Sequence, residues 1–508
     1  MSFFSNPEFI RNARGQLRLG KVVTTVVICG AVSLAIGFSF WAQHGIGSFP
    51  SNWGMNLLKV TILLQALVLA AGGGIACVNA IHKEKEQNTF DFQRVTRLTP
   101  LELTLGKFFG APLLSYVIFV CLMPLALFAA EMGRAKVSFV IAAYAVLIAG
   151  ALAFNALGLL ISLLTVRGSH GAAILFLLVL LFVGASQGDG GIGMFRLGSV
   201  SPFFAAVVME DGWNVPHHAV ATDDHRVEVR DVFFGQPMSH LAVLLALDLV
   251  FVFWVLLAVV RNVKRDPNYY ELYSPLQAVV LAVFVNFLLV GFFNWRMGNA
   301  VDAEAFLLTL NMIVFFGLGL ALLRNRERMR RILRSREMLE ERWIEFAWPA
   351  PLLIAATLVA AAMIVVGTAR GRDPNVYWSA GFAVIRALFF VIWIVRDVQY
   401  LQWMSLRRGK HPLVMGVLYQ LIFYACVTAF LAAAGVLREP ERAPFAAFLL
   451  PTPVYVLDRS AWAMRPALWV AAFVTQCVMA GVFISLQRQI INELDTAGKA
   501  PLEVTATS

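Results

Sequence analysis

Apolar runs close to the roughly 20 residues that cross a hydrocarbon core recur along the chain. They lie at about residues 21–42, 56–81, 107–130, 137–165, 171–186, 240–261, 275–297, 303–323, 348–367, 379–395, 411–436 and 466–486. Short charged or amphipathic stretches separate them. The pattern predicts an all-α polytopic membrane protein of about twelve transmembrane helices. The fifth and tenth runs are short, which implies tilting or a re-entrant segment after the fifth.

Composition agrees. The chain has 508 residues, 59% of them hydrophobic and 14% charged, where soluble domains carry about 25% charged residues. With the N-terminus in the cytoplasm, Lys and Arg favour the inner side by roughly two to one and both termini are cytoplasmic. A plasma-membrane protein, in a bacterial setting an inner-membrane one, follows as the expectation. Topology and anionic headgroups account for the net charge of +10, so nucleic acid is not needed as a partner. The first apolar run is too long for a signal-peptide core and is expected to stay as an anchor.

Two inner-side surfaces precede the third span. Residues 6–20 are expected to form an amphipathic elbow helix lying in the interface plane. Asn6 caps it, Pro7 takes the first helical position and Glu8 sits at the positive end of the dipole. Ile10, Ala13 and Leu17 form an apolar stripe beside a basic one of Arg11, Arg14, Arg18 and Lys21. The bland alternative is a generic basic flank that orients the first span. Gly15 and Gly20-Lys21 mimic part of a phosphate-binding loop, but Val22 replaces the Ser or Thr that holds magnesium and no strand precedes the loop. The chain is therefore expected to be no enzyme, to lack a nucleotide-binding site of its own, and to contain no cofactor.

The second surface, residues 82–106, lies between spans 2 and 3. Lys83-Glu84-Lys85-Glu86 leads to a short amphipathic segment holding Phe90, Phe92, Val95 and Leu98 among Asp91, Gln93, Arg94 and Arg97. Thr99, Pro100 and Glu102 then form a capping box, so a new helix starts there and runs into span 3. Lys107 is expected at headgroup level. A short rigid helix fixed by spans on both sides is suited to receiving a push from a partner.

The stretch "KEKEQNTFDFQRVTRLTPLELTLGK" resembles the signature of the type-2 ABC transporter permease family. In that family a Glu ending span 2 is followed by a Gly-Thr-hydrophobic-acid run, a coupling helix, a Thr/Ser-Pro-Leu turn and a Gly-Lys. Glu86, Thr89, Phe90, Asp91, Thr99, Pro100, Leu101, Gly106 and Lys107 fall on it, and Asn88 stands where the family usually has glycine, a residue that also tolerates left-handed backbone. Residues 6–20 resemble the family's elbow helix. "SPFFAAV" (Ser201 to Val207) resembles the segment between its fifth and sixth spans. The likeness covers about residues 1–265. It implies a permease subunit, in a family that mostly exports, driven by a separate ABC ATPase that binds the ATP and Mg. Glu86, Thr89, Phe90, Asp91, Arg94, Thr99, Pro100, Glu102 and Lys107 would then carry the coupling. A homodimer or a second permease would complete the transporter unless the second half serves as the other permease half.

Residues 266–508 are expected to form a second six-span membrane domain. Three cues repeat the order of the first half: the basic stretch 324–346, the stretch 396–411 between spans 10 and 11, and "PTPVYVL" (Pro451 to Leu457) before the last span. They point either to a degenerate internal repeat or to independent spans with basic inner loops.

Two charges fall inside spans, where ionisable groups are costly and usually functional or paired. Asp248 in span 6 and Arg386 in span 10 lie at similar depth and would pair if their helices were neighbours. The longest outer loop, 187–239, holds His217, His218, Asp223, Asp224 and His225. A solvated loop suits it better than a divalent-metal site, and no metal is expected. The five cysteines fall inside apolar runs, without metal-ligand spacing. An ion- or proton-coupled secondary carrier of twelve spans is the alternative function, although it would be expected to show more midplane ionisable groups.

Overall fold

In the computed structural model, the described residues are 6–44, 53–164, 231–233, 236–238, 240–266, 270, 272–292, 319, 322–334, 376–409, 412–436, 442–450 and 459–499. They are helical apart from one short two-stranded hairpin, β1 (Asp231–Phe233) with β2 (Gln236–Met238). Seven of their helices are long and apolar enough to cross a membrane, the pattern of a multi-pass membrane protein. The sequence runs at 171–186 and 348–367, most of 303–323, the His/Asp part of the outer loop, "SPFFAAV" and "PTPVYVL" lie outside the described residues.

The chain divides into two compact units, one of Met1–Asp231 with Pro237–Tyr270 and one of Val232–Gln236 with Glu271–Ser508. The first contains α1 (Pro7–Gln16), α2 (Leu19–His44), α3 (Trp53–Leu67), α4 (Gly73–Glu86), α5 (Phe90–Arg94), α6 (Pro100–Gly110), α7 (Leu113–Met132), α8 (Val137–Leu164) and α9 (His240–Asn262). A π-helical turn, Val68–Gly72, joins α3 to α4 within one continuous apolar span. Two apolar clusters hold the unit together. Trp53, Leu57, Ile62, Phe119, Ala126 and Leu147 pack at one end; Ile81, Phe90, Leu103, Phe108, Leu159 and Val259 pack at the other. Between them α4 and α8 approach closely, as small residues permit within membranes: a Cβ at Gly158 would fall 2.6 Å from the Gly74 carbonyl oxygen. Deeper polar groups are joined across helices, with Tyr144 donating to Gln65 at 3.0 Å and Gln65 donating to the Phe119 carbonyl at 3.3 Å.

The second unit contains α10 (Pro275–Phe292), α11 (Arg326–Arg334), α12 (Val376–Leu406), α13 (Pro412–Ala433), α14 (Ala443–Ala446), α15 (Arg459–Met464) and α16 (Pro466–Lys499). Phe389 stacks edge-on against Trp469 and Phe473 in a buried cluster of α12, α14 and α16. Residues 396–406, which the sequence places between spans 10 and 11, continue α12 without a break. Arg396 and Asp397 are buried because each finds partners inside. Arg396 donates from Nε to Asp397 at 2.8 Å and from Nη1 to Gln476 at 2.9 Å, and its guanidinium lies 3.9 Å above the Trp393 ring. Tyr424 donates to the second Asp397 oxygen. A buried ion pair satisfied on all sides in this way fixes helix register more than it adds stability.

Candidate functional site

The site is the charged end of the first unit, where α4 ends, α5 crosses and α6 begins. Local chemistry sets each element. Glu86 ends α4, and Asn88 takes a left-handed conformation at φ 57°. The Asn88 amide donates to the Lys85 carbonyl at 3.2 Å and the Thr89 amide to the Glu84 carbonyl at 2.9 Å, the two bonds that close a Schellman cap. Asn supplies here the backbone freedom that glycine usually provides. At the start of α6, Thr99 Oγ1 accepts from the Glu102 amide at 3.2 Å while Glu102 Oε2 accepts from the Thr99 amide at 2.8 Å. The predicted capping box is present in full.

The elbow helix also begins as its sequence predicts: the Asn6 side chain accepts from the Glu8 and Phe9 amides, with Pro7 at the first helical position. Its docking face is different from the apolar stripe. Glu8 and Asn12, one turn apart, lie against Gly106 and Gly110 of α6, where an added Cβ would fall 2.7 Å from Glu8 Cβ and 2.8 Å from Asn12 Cβ. Asn6 Nδ2 donates to the Glu102 carbonyl at 2.7 Å. The basic stripe and much of the Ile10, Ala13, Leu17 stripe stay at least partly exposed, as a helix in the interface plane requires.

Lys107 is the centre of the assembly. It is 1% exposed, because two carboxylates draw it inward. Its Nζ lies 2.9 Å from Glu8 Oε1 and 2.5 Å from Glu84 Oε2. Arg11 closes the set by pairing with Glu8 at 2.7 Å and with Glu84, so two anions meet two cations with no net charge left buried. Gln93 of α5 donates to Glu84 Oε1 at 2.6 Å. One buried network therefore joins α1, α4, α5 and α6. Alongside, Lys85 Nζ donates to the Ser162 and Leu163 carbonyls at 2.9 and 2.6 Å, placing a cation at the negative end of α8. Lys264 donates to the Thr96 carbonyl at 2.8 Å and ties down the turn after α5.

The nine coupling positions expected from the sequence fall into three groups. Phe90 is 3% exposed in the apolar cluster, and Arg94 lies 6.0 Å from its ring while pairing with Asp91 at 3.1 Å. With Lys107 these hold the region in place. Pro100 and Glu102 are partly covered, and the Glu102 carboxylate is occupied by the cap. Thr89 and Thr99 are exposed, as are the side chains of Asp91 and Glu86, and Glu86 lies 3.3 Å from His82 Nε2. Tyr270 packs on the same apolar cluster, and burial pushes its phenol up to about 12 while Arg94 draws it down.

Sequence reasoning missed Glu8, Arg11, Glu84 and Gln93 as members of the site, since their partners come from segments distant in sequence. It also left out the outward side of α5, where Phe92 is 74% and Val95 82% exposed. The amphipathic spacing of Phe90, Phe92 and Val95 was the available signal: a helix this short anchors one of them and leaves the others out. Elsewhere, Asp248 is buried on α9 of the first unit and neither carboxylate oxygen has a hydrogen-bond partner among the described residues. Arg386 is buried on α12 of the second unit. Among the described residues no group of three or more His, Cys, Asp or Glu is placed to hold a metal ion.

The chain matches no family model, no curated protein sequence and no solved structure.

Proposed function

We propose that this chain is the membrane permease subunit of an ABC transporter of the type-2 kind, an exporter driven by a separate ATPase. In this reading it has twelve spans, cytoplasmic termini and a place in the plasma membrane. The observation that carries the proposal is the build of α5. Phe90 and Gln93 bind it to α4 and α6, and through Glu84 to Arg11 of α1, while Asp91, Phe92 and Val95 face outward. An apolar and acidic knob on a short helix with a rigid base suits reception of force from a partner, since exposed apolar groups rimmed by polar ones mark interaction sites. ATP binding and closure of the ATPase would push α5, and the Glu84–Lys107–Glu8 network would pass the displacement to the second and third spans and to the elbow helix. This chain needs no ATP, Mg or catalytic residue for that role.

Purification of the tagged chain from its native membrane, followed by an assay for bound ATPase, tests the proposal. Wild type is expected to carry one, and Glu86→Arg with Asp91→Arg to lose it while staying folded and membrane-inserted, with no more than the small fall in thermal midpoint that loss of two exposed pairs brings. An ATPase retained in full by the double variant overturns the assignment of α5.

A second reading, an ion- or proton-coupled carrier, draws support from the buried carboxylate of Asp248, because ionisable groups at membrane depth mark proton and ion pathways. Transport that persists in sealed vesicles without ATP, and stops on Asp248→Asn, would favour it over the first.

A further inference from the structure

At the charged end of the second unit, α11 lies across the ends of α12 and α16. Met329 packs against Leu406 and Leu494, flanked by Leu333, Ile490 and Ile491. Polar contacts fix the entry to the helix. The Arg324 amide donates to Gln402 Oε1 and Ser405 Oγ donates to the Arg324 carbonyl, both at 2.9 Å. Arg326 Nη1 then donates to the Leu406 carbonyl at 3.2 Å, at the last residue of α12. This docking brings Arg326 within electrostatic reach of Arg408, two residues past the helix end, as well as of Arg330 on its own helix. Burial, then Arg408, then Arg330 hold the Arg326 guanidinium below its ordinary pKa, and its Nε is buried without a hydrogen-bond partner. Glu493 is the acidic group that offsets them, and Glu327 lies in the first turn of α11. Among the described residues the basic groups of this cluster outnumber the acidic ones.

A second observation places the cluster at a fixed depth. Arg407 lies 4.9 Å from the Trp403 ring. Trp403, Tyr400 and Phe483 form one aromatic group, with ring centres 6.1 Å (Tyr400 to Trp403), 5.3 Å (Tyr400 to Phe483) and 6.0 Å (Trp403 to Phe483) apart. Trp and Tyr collect where hydrocarbon meets headgroups, and the arginines follow within about one helical turn of this group. Guanidinium forks bind phosphate oxygens in pairs.

We propose that Arg326, Arg330, Arg407 and Arg408, with Trp403 beneath them, form a binding site for the phosphate headgroup of an anionic phospholipid. The arginines take the phosphodiester, and the aromatic group receives the glycerol end of the acyl chains. A zwitterionic lipid brings its own cation to the same place and binds more weakly. The site does not depend on the coupling assignment in the first unit.

The test uses the full chain, stripped of lipid in a neutral detergent, and follows bound lipid by native mass spectrometry and the thermal midpoint across a titration. Three probes are compared: phosphatidylglycerol, phosphatidylcholine and free glycerol 3-phosphate. Arg330 and Arg408 are exposed, so Arg330→Gln with Arg408→Gln keeps the fold, shown by a lipid-free midpoint equal to or above that of the wild type, because the change relieves like-charge crowding on Arg326. At roughly fivefold per basic residue near a charged lipid surface, the double variant is expected to lose about 25-fold in apparent affinity for phosphatidylglycerol. Arg14→Gln with Arg18→Gln, which removes two cations from the interfacial elbow helix of the first unit instead, is expected to lose clearly less. Added salt is expected to weaken the interaction in the wild type more than in the double variant. Equal binding of phosphatidylcholine, an unchanged affinity in the double variant, or equal stabilisation by glycerol 3-phosphate would each overturn the assignment, the last by revealing a soluble-anion site.

Discussion

The ammonium of Lys107 lies 2.5 Å from Glu84 Oε2, joining positions 23 residues apart on α6 and α4. Between them the chain leaves α4, crosses as α5 and starts α6, so this bond closes the base of the loop that carries the outward knob of Phe92 and Val95. Glu8 reaches the same ammonium from α1. Pushing α5 must therefore either move all four helices together or break a buried charge network.

Removing one partner of a buried ion network is costly, because the remaining charges stay buried and unpaired. Lys107→Met is expected to destabilise the purified protein by about 3–5 kcal/mol, read as a large fall in its denaturation midpoint in detergent. Arg11→Met is expected to cost clearly less, because the Arg11 side chain is 49% exposed and water compensates its loss. Equal effects would mean that Lys107 is not the centre of the network.

Gly106 and Gly110 let α1 sit directly on α6. Gly106→Ala is expected to cost about 1–3 kcal/mol, the usual range for overpacking, and to raise hydrogen exchange in residues 7–16 selectively. Uniform loss of protection across the unit would argue that the glycine serves the fold at large instead of the docking of the elbow.

What the sequence made legible was local. Asn6-Pro7-Glu8 and Thr99-Pro100-Glu102 announce helix starts through bonds within three residues, and both caps form. Asn88 at a glycine position implies left-handed backbone, and it adopts it. Long-range partners were not legible. A lysine opening an apolar run ordinarily extends to the headgroups, and nothing near Lys107 in sequence announces Glu8 or Glu84 as its partners. The same holds for Arg396, which reads as an inner-loop charge until Asp397, Tyr424 and Gln476 are placed around it.

The Arg396 network gives a graded prediction. Tyr424→Phe removes one donor from Asp397 and is expected to cost about 1–3 kcal/mol; Arg396→Met leaves the carboxylate without its cation and is expected to cost about 3–5 kcal/mol. Thermal unfolding of the two variants beside wild type checks the order. The reverse order would place the weight of the network on the hydroxyl.

Asp248 has neither oxygen hydrogen-bonded among the described residues, and a buried polar group without a partner costs about 1–3 kcal/mol. Asp248→Leu is accordingly expected to leave the unfolding midpoint unchanged or to raise it. A marked fall would show that the carboxylate holds a partner in the membrane, and would strengthen the carrier reading.

In the proposed mechanism a separate ATPase bears on α5. A photo-reactive amino acid placed at Phe92, with the exposed Leu127 of α7 as the control position, measures this in native membranes. An adduct between position 92 and an ATP-binding polypeptide, absent from position 127, is expected. Equal labelling at both positions, or no adduct at position 92 while the chain is correctly inserted, would contradict it.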